Sequence, residues 1–149
     1  MGQPVRLQLG FSLLELLIAL VITAILMTIA LPAYRHIQIR SHRVIGIAVL
    51  QDLAARQERF WLEHRRYALS LVELGLVEDY FIDGGANLVR PSQAVYRVEL
   101  KISEGDFLAV AAWPQNDQRL DRQCGILTLG RDGQRSVSGE LAAHPQQCW

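Results

Sequence analysis

The chain is predicted to fold as an α+β protein, with one long N-terminal helix laid over an antiparallel sheet of about four strands. Three observations predict this. Residues 11–31 are almost continuously apolar, with Glu15 as the single charge. Apolar residues then recur at helical spacing as far as about Leu62. From Val95 onward the pattern changes to alternation, broken by turn residues.

The apolar run is long enough for a helix to cross a bilayer, which takes roughly 20 residues for a ~30 Å hydrocarbon core. A cleavable secretory signal has a shorter apolar core, of about 7–15 residues, followed by a small-residue cleavage site. Here only Leu31-Pro32-Ala33-Tyr34 follows, so the segment is expected to stay with the mature protein. Pro32 removes one ladder hydrogen bond and is expected to bend the helix locally. Beyond it, Ile39, Gly46, Val49, Leu50, Leu53, Phe60 and Trp61 share one helix face and are the candidate core of that helix. Arg40, Arg56, Glu58 and Arg59 lie off this face.

Residues 63–94 carry no long periodic run. Ser70 and Glu73 have capping-box spacing and Gly75 follows as a terminator, which predicts a short helical turn. Gly84, Gly85 and Pro91 mark a loop. Residues 95–102 alternate strictly, with Tyr96, Val98, Leu100 and Ile102 on one face and Val95, Arg97, Glu99 and Lys101 on the other. Glu104-Gly105-Asp106 reads as a turn into a second strand, 107–113, stopped by Pro114. Residues 125–129 form a third strand, and Asp132-Gly133 turns the chain into a fourth, 134–137. The amphipathic helix is the cover available for the apolar face of this sheet.

With the membrane segment set aside, 149 residues leave room for one small domain. The formal net charge is zero, which sets no requirement for a nucleic-acid partner. Fourteen of the fifteen basic residues are arginine, with Lys101 the lone lysine, a bias toward the side chain suited to forked pairing with carboxylates and phosphates. The cysteines, Cys124 and Cys148, both lie late in the chain. In an exported small domain such a pair reads as one disulfide.

Glu15 calls for a functional reading. A carboxylate in a membrane helix costs about 2.5–3.5 kcal/mol on insertion scales. Cleavage before Phe11 would leave a new amino group one helical turn from Glu15. Gly10-Phe11-Ser12-Leu13-Leu14-Glu15, followed by the apolar run, resembles the prepilin peptidase motif of type IV pilins and pseudopilins. The resemblance implies a leader at 1–10, cleavage between Gly10 and Phe11, and N-methylation of Phe11. It implies a membrane and filament-core helix at 11–31 and a globular head at 32–149. Glu15 would pair with the Phe11 amine of a neighbouring subunit, and Pro32 matches the helix-kinking proline of many pilins. The leader departs from the family pattern in carrying one basic residue, Arg6.

The whole plan of helix, loop, sheet and C-terminal disulfide loop is similar to that of type IVa pilins. Ala54-Ala55-Arg56-Gln57-Glu58-Arg59-Phe60, Arg66-Tyr67, Leu74-Gly75, the Cys124-Gly125 step with Leu127-Thr128-Leu129, and Cys148-Trp149 resemble minor pilins of the PilE type. The implied partners are prepilin peptidase, other major and minor pilins, the inner-membrane assembly platform and the membrane itself. The implied roles are pilus biogenesis, twitching motility and adhesion. The implied location is the inner membrane, single-pass, with the head in the periplasm and later in the extracellular filament. A count of basic residues opposes that orientation, since Arg6 precedes the apolar run while Arg35, Arg40 and Arg43 follow it. The motif and the cysteine pair point outward, and outward is the expectation.

No catalytic residue, cofactor or metal site is expected. His36, His42, His64 and His144 are scattered without zinc spacing, and no nucleophile elbow or phosphate-binding glycine loop is present. A membrane-anchored enzyme therefore has no positive support. A secretion pseudopilin is an alternative, although its major form typically carries an acidic calcium site near the C-terminus. Here only Asp132 and Glu140 lie as acids between the cysteines. A DNA-uptake minor pilin is the other alternative. Arg119, Arg122, Arg131 and Arg135 cluster around the disulfide loop, with Trp113 and Trp149 able to stack on bases. Asp117, Asp121 and Asp132 interleave with these arginines, so a solvated, self-paired surface is the favoured expectation.

Overall fold

The computed structural model describes residues 12–149. Its contacts divide the chain into two units, 1–37 and 38–149. Helix α1, Leu13–His64, contributes to both.

In the first unit every described residue of the helix is exposed in the lone chain, including leucines and isoleucines from Leu13 to Ile37. The sequence explains the helix here, because apolar residues surround it on all sides, as in a segment meant for an apolar environment. An 18-residue window reaches a mean hydropathy of 2.6, long and apolar enough to cross a membrane. Its polar side chains are satisfied internally: Thr23 donates to the Ala19 carbonyl at 2.8 Å and Thr28 to that of Ile25 at 2.7 Å. Pro32 lies within the helix.

In the second unit the helix lays Gly46, Val49, Leu50 and Leu53 into the core. They meet Tyr96, Val98, Phe107, Val110, Ala112, Leu127 and Leu129 from the sheet. Burying a leucine such as Leu50 or Leu53 contributes about 1.5–3 kcal/mol. The expected stripe is corrected at its ends. Ile39 and Phe60 are half-buried and Trp61 is exposed, whereas Arg43 and Gln57 are buried. Both polar residues earn their places through complete pairing. The Gln57 amide donates to the Ala68 carbonyl and accepts the Ala68 N–H, each at 2.9 Å, so it pairs with the returning chain as a strand would. Arg43 forks onto Asp121.

The sheet has five antiparallel strands in sequential order, one more than expected. These are β1 (Tyr80–Ile82), β2 (Tyr96–Ser103), β3 (Asp106–Pro114), β4 (Leu127–Gly130) and β5 (Arg135–Val137). The additional strand, β1, pairs Tyr80 with Val98 and Ile82 with Tyr96. Strands β2 and β3 pair from Tyr96↔Pro114 to Ser103↔Asp106, with a register shift between Lys101 and Ile102. The two-residue connection Glu104-Gly105 has φ of 52° and 80°, the left-handed pair that matches strand twist in a tight hairpin. The hairpin expected at Asp132-Gly133 joins β4 to β5, with Gly130 N–H donating to the Gln134 carbonyl at 2.8 Å.

The turn expected at Ser70 forms as a short 3-10 helix, Val72–Leu74. Ser70 Oγ accepts the Glu73 N–H at 3.3 Å, but the Glu73 carboxylate accepts from Leu69 N–H at 2.9 Å and from Arg66 at 3.0 and 3.1 Å. The carboxylate reaches past the Ser70 N–H to the Leu69 N–H and the Arg66 guanidinium, so the capping box is only half made. Cys124 and Cys148 are bonded, with Cα atoms 5.9 Å apart and a sequence separation of 24. Chain-entropy arithmetic for that loop gives about 3–4 kcal/mol.

Candidate functional site

The processing positions expected at Gly10 and Phe11 lie outside the described residues. Glu15 stands in the first turn of α1, exposed. A carboxylate there faces the positive end of the helix dipole.

In the head, the segment after β3 is a 3-10 helix, Asn116–Leu120, leading to Cys124. Gln118 lies within this helix and Asp121 just after it, each followed directly by an arginine, Arg119 and Arg122. The first two are buried, at 1% and 4% exposure, and the arginines are exposed. Asp121 takes both arms of Arg43, with Nε to Oδ2 at 3.0 Å and Nη2 to Oδ1 at 2.8 Å. Its Oδ1 also accepts the Cys124 N–H at 3.3 Å, beside the disulfide. Gln118 accepts from His42 Nδ1 at 3.2 Å and donates to the Ile39 carbonyl at 3.1 Å and the Tyr96 hydroxyl at 2.9 Å. Burial, and secondarily the Asp121 charge, hold the Tyr96 phenol above its ordinary value. Sequence reading missed this cluster. An arginine just past a membrane helix reads as a juxtamembrane cation, and nothing local links it to an aspartate 78 positions away.

The four arginines expected to cluster take different partners. The stretch that follows β5 lies alongside residues 122–124: Glu140 N–H donates to the Arg122 carbonyl and Leu141 N–H to that of Gln123. Arg135, on β5, stacks over the Trp149 ring at 5.6 Å, and the Trp149 indole donates to the Ser136 carbonyl at 3.4 Å. Among the described residues, Arg119, Arg122 and Arg135 form no carboxylate pair. Arg131 stands in the β4–β5 turn, pairs with Asp106 and lies 5.6 Å over the Tyr67 ring. That contact holds the Asp106 carboxyl below the usual carboxylate range. Of the interleaved acids, Asp121 turns inward to Arg43, and the Asp132 carboxylate is engaged by the Gln134 N–H at 2.9 Å. Trp113 faces different cations: it pairs in register with Arg97, and Lys101 Nζ lies 6.0 Å from its ring.

A second basic and aromatic surface was not expected. Arg65 lies over Trp61 at 5.6 Å and Arg66 over Phe60 at 5.1 Å. Trp61, Arg65, Arg66, Tyr67, Asp106 and Arg131 line an open depression of about 330 Å³. Its signal in the sequence was Arg65-Arg66-Tyr67 next to Phe60-Trp61, read as the end of a core stripe.

Comparison with known proteins gives two matches along the chain. Residues 5–31 match the prokaryotic N-terminal methylation motif. Residues 32–128 match the family described as type IV minor pilin ComP, DNA uptake sequence receptor. No curated protein matches the chain at a significant level. The two matches adjoin without a gap and together take in the apolar helix, the sheet as far as β4 and the Arg43–Asp121 cluster, and the second of them alone covers well over half of the sequence: the chain belongs to the ComP family of type IV minor pilins.

Proposed function

We propose that this minor pilin is exported with its head outside the inner membrane and that the head contacts DNA. The observation that carries the DNA reading is the freedom of Arg119, Arg122 and Arg135 from carboxylate partners among the described residues, on a scaffold closed by the Cys124–Cys148 bond. The description of the matched family as a DNA uptake sequence receptor supports it. The burial of Asp121 against Arg43 removes one of the acids whose interleaving argued for a self-paired surface. Guanidiniums neutralise phosphates, and Trp149, held under Arg135, offers an aromatic edge beside them.

In this reading residues 1–10 are the leader, 11–31 the membrane and filament-core helix, and 32–149 the head. Prepilin peptidase cuts between Gly10 and Phe11 and methylates Phe11. Glu15 then pairs with the Phe11 amine of a neighbouring subunit as the helix leaves lipid for the filament. The burial of Arg43 supports the outward orientation, since it is no longer a free cation beside the membrane. Arg35 and Arg40 still weigh on the other side of that count.

The test is a fluorescence-anisotropy titration of a short labelled duplex with the full chain in neutral detergent micelles, repeated over a range of salt. Three arginine–phosphate contacts predict a slope of log K against log[salt] of about −2.7. Binding with no salt dependence, or none at low salt, contradicts the DNA reading.

A further inference from the structure

We propose that Arg43 and Asp121 are positioning residues for DNA contact, holding Arg119 and Arg122 in a fixed place on the head although neither touches DNA itself; this rests on the DNA reading above. The geometry is specific. Buried Gln118 and Asp121 are each followed directly in the chain by an exposed arginine, Arg119 and Arg122, so fixing the inward residues restrains the backbone that carries the outward ones. Every helix group that receives them lies within about one turn of α1, at Ile39, His42 and Arg43. The segment is thus tied at two inward positions to α1. At its far end the Asp121 carboxylate caps the Cys124 N–H, joining the same tie to the disulfide.

Energetics favour a positioning role over a purely stabilising one. A buried ion pair is often no more stabilising than apolar residues of the same volume, because desolvation offsets the attraction. A forked pair does impose direction: Nε and Nη2 of Arg43 address separate oxygens of Asp121, which fixes the rotation of the carboxylate and of the backbone carrying it. Arginines on a loose segment would have to be ordered at each binding event, and that cost lowers affinity.

The test is a double-mutant cycle on DNA affinity, using the full chain in neutral detergent and a short labelled duplex. One arm is Arg43→Met with Asp121→Asn, which removes the ion pair, keeps an acceptor for the Cys124 N–H and leaves net charge unchanged. The other arm is Arg119→Gln with Arg122→Gln. The first arm should weaken binding at least about threefold with the fold intact by near-ultraviolet circular dichroism. Combining the arms should cost clearly less than the product of the two losses, since arginines that are absent need no positioning. Wild-type affinity in the first arm, or losses that multiply, overturns the proposal. Should the first arm fail to fold, Arg43→Lys keeps the charge without the fork and serves in its place, with the same two outcomes deciding. If wild-type protein binds no DNA, the failure appears in the wild-type titration alone and takes down the DNA reading together with this inference.

Discussion

Replacing Arg43 by methionine should destabilise the head far more than a surface arginine change would. Asp121 has a side chain only 2% exposed, and Arg43 is its cationic partner. Without the guanidinium the carboxylate keeps the Cys124 N–H as a donor at 3.3 Å and has no compensating charge. Removing one member of a buried pair costs about 3–5 kcal/mol. With roughly 4 °C of melting temperature per kcal/mol for a domain of this size, the expected drop is on the order of 12–20 °C. Trp61, Trp113 and Trp149 all belong to the head unit, so intrinsic fluorescence during a thermal ramp reports the head without interference from the membrane helix. A drop smaller than about 5 °C would refute the reasoning.

Three further predictions follow from other parts of the chain. A Cβ on Gly46 would sit 2.9 Å from Tyr96 Cε2, so Gly46→Val should lower head stability by about 1–3 kcal/mol; a melting temperature at or above wild type would show the contact to be soft. The Tyr96 phenol is held protonated above its ordinary value by burial. Its contribution is therefore fully present below about pH 10 and is lost as pH rises beyond it, when the unfolded chain ionises first. Tyr96→Phe should lower stability by about 0.5–1.5 kcal/mol at neutral pH through the lost Gln118 contact and flatten the alkaline decline; an unchanged alkaline slope contradicts the assignment. Glu15→Ala should leave membrane insertion intact and reduce the amount of subunit in sheared filaments, and normal incorporation would count against pairing with the Phe11 amine.

The parts of the fold legible in the sequence are those governed by local periodicity. The long helix is expected to about Leu62 and ends at His64, and the alternation places Tyr96, Val98 and Leu100 toward the core, whereas Ile102, expected on the same face, is exposed beyond the register shift that follows Lys101. The Glu104-Gly105 turn and the paired cysteines were likewise readable. Strand β1 was not, because three residues give no period to detect and its pairing with β2 is a tertiary fact. Hydrophobicity and spacing alone place Trp61 in the core. The returning chain instead crosses the helix at Gln57, which satisfies both Ala68 backbone groups, so the last turn of α1 projects Trp61 outward beneath Arg65. The arginines around the disulfide loop were visible as a sequence cluster, but their different partners were not: Arg131 goes to Asp106 and Tyr67 across the β2–β3 turn. The Arg43–Asp121 pair shows the same limit, since a charge on a helix is read as solvated until its distant partner is known.

Filament assembly as proposed depends on the chain being processed at Gly10 so that Phe11 becomes the N-terminus one turn from Glu15. Intact-mass and N-terminal fragment analysis of the protein recovered from its native membrane tests this directly. The predicted result is a chain that begins at N-methylated Phe11. A chain still beginning at Met1, with residues 1–10 attached, would contradict it.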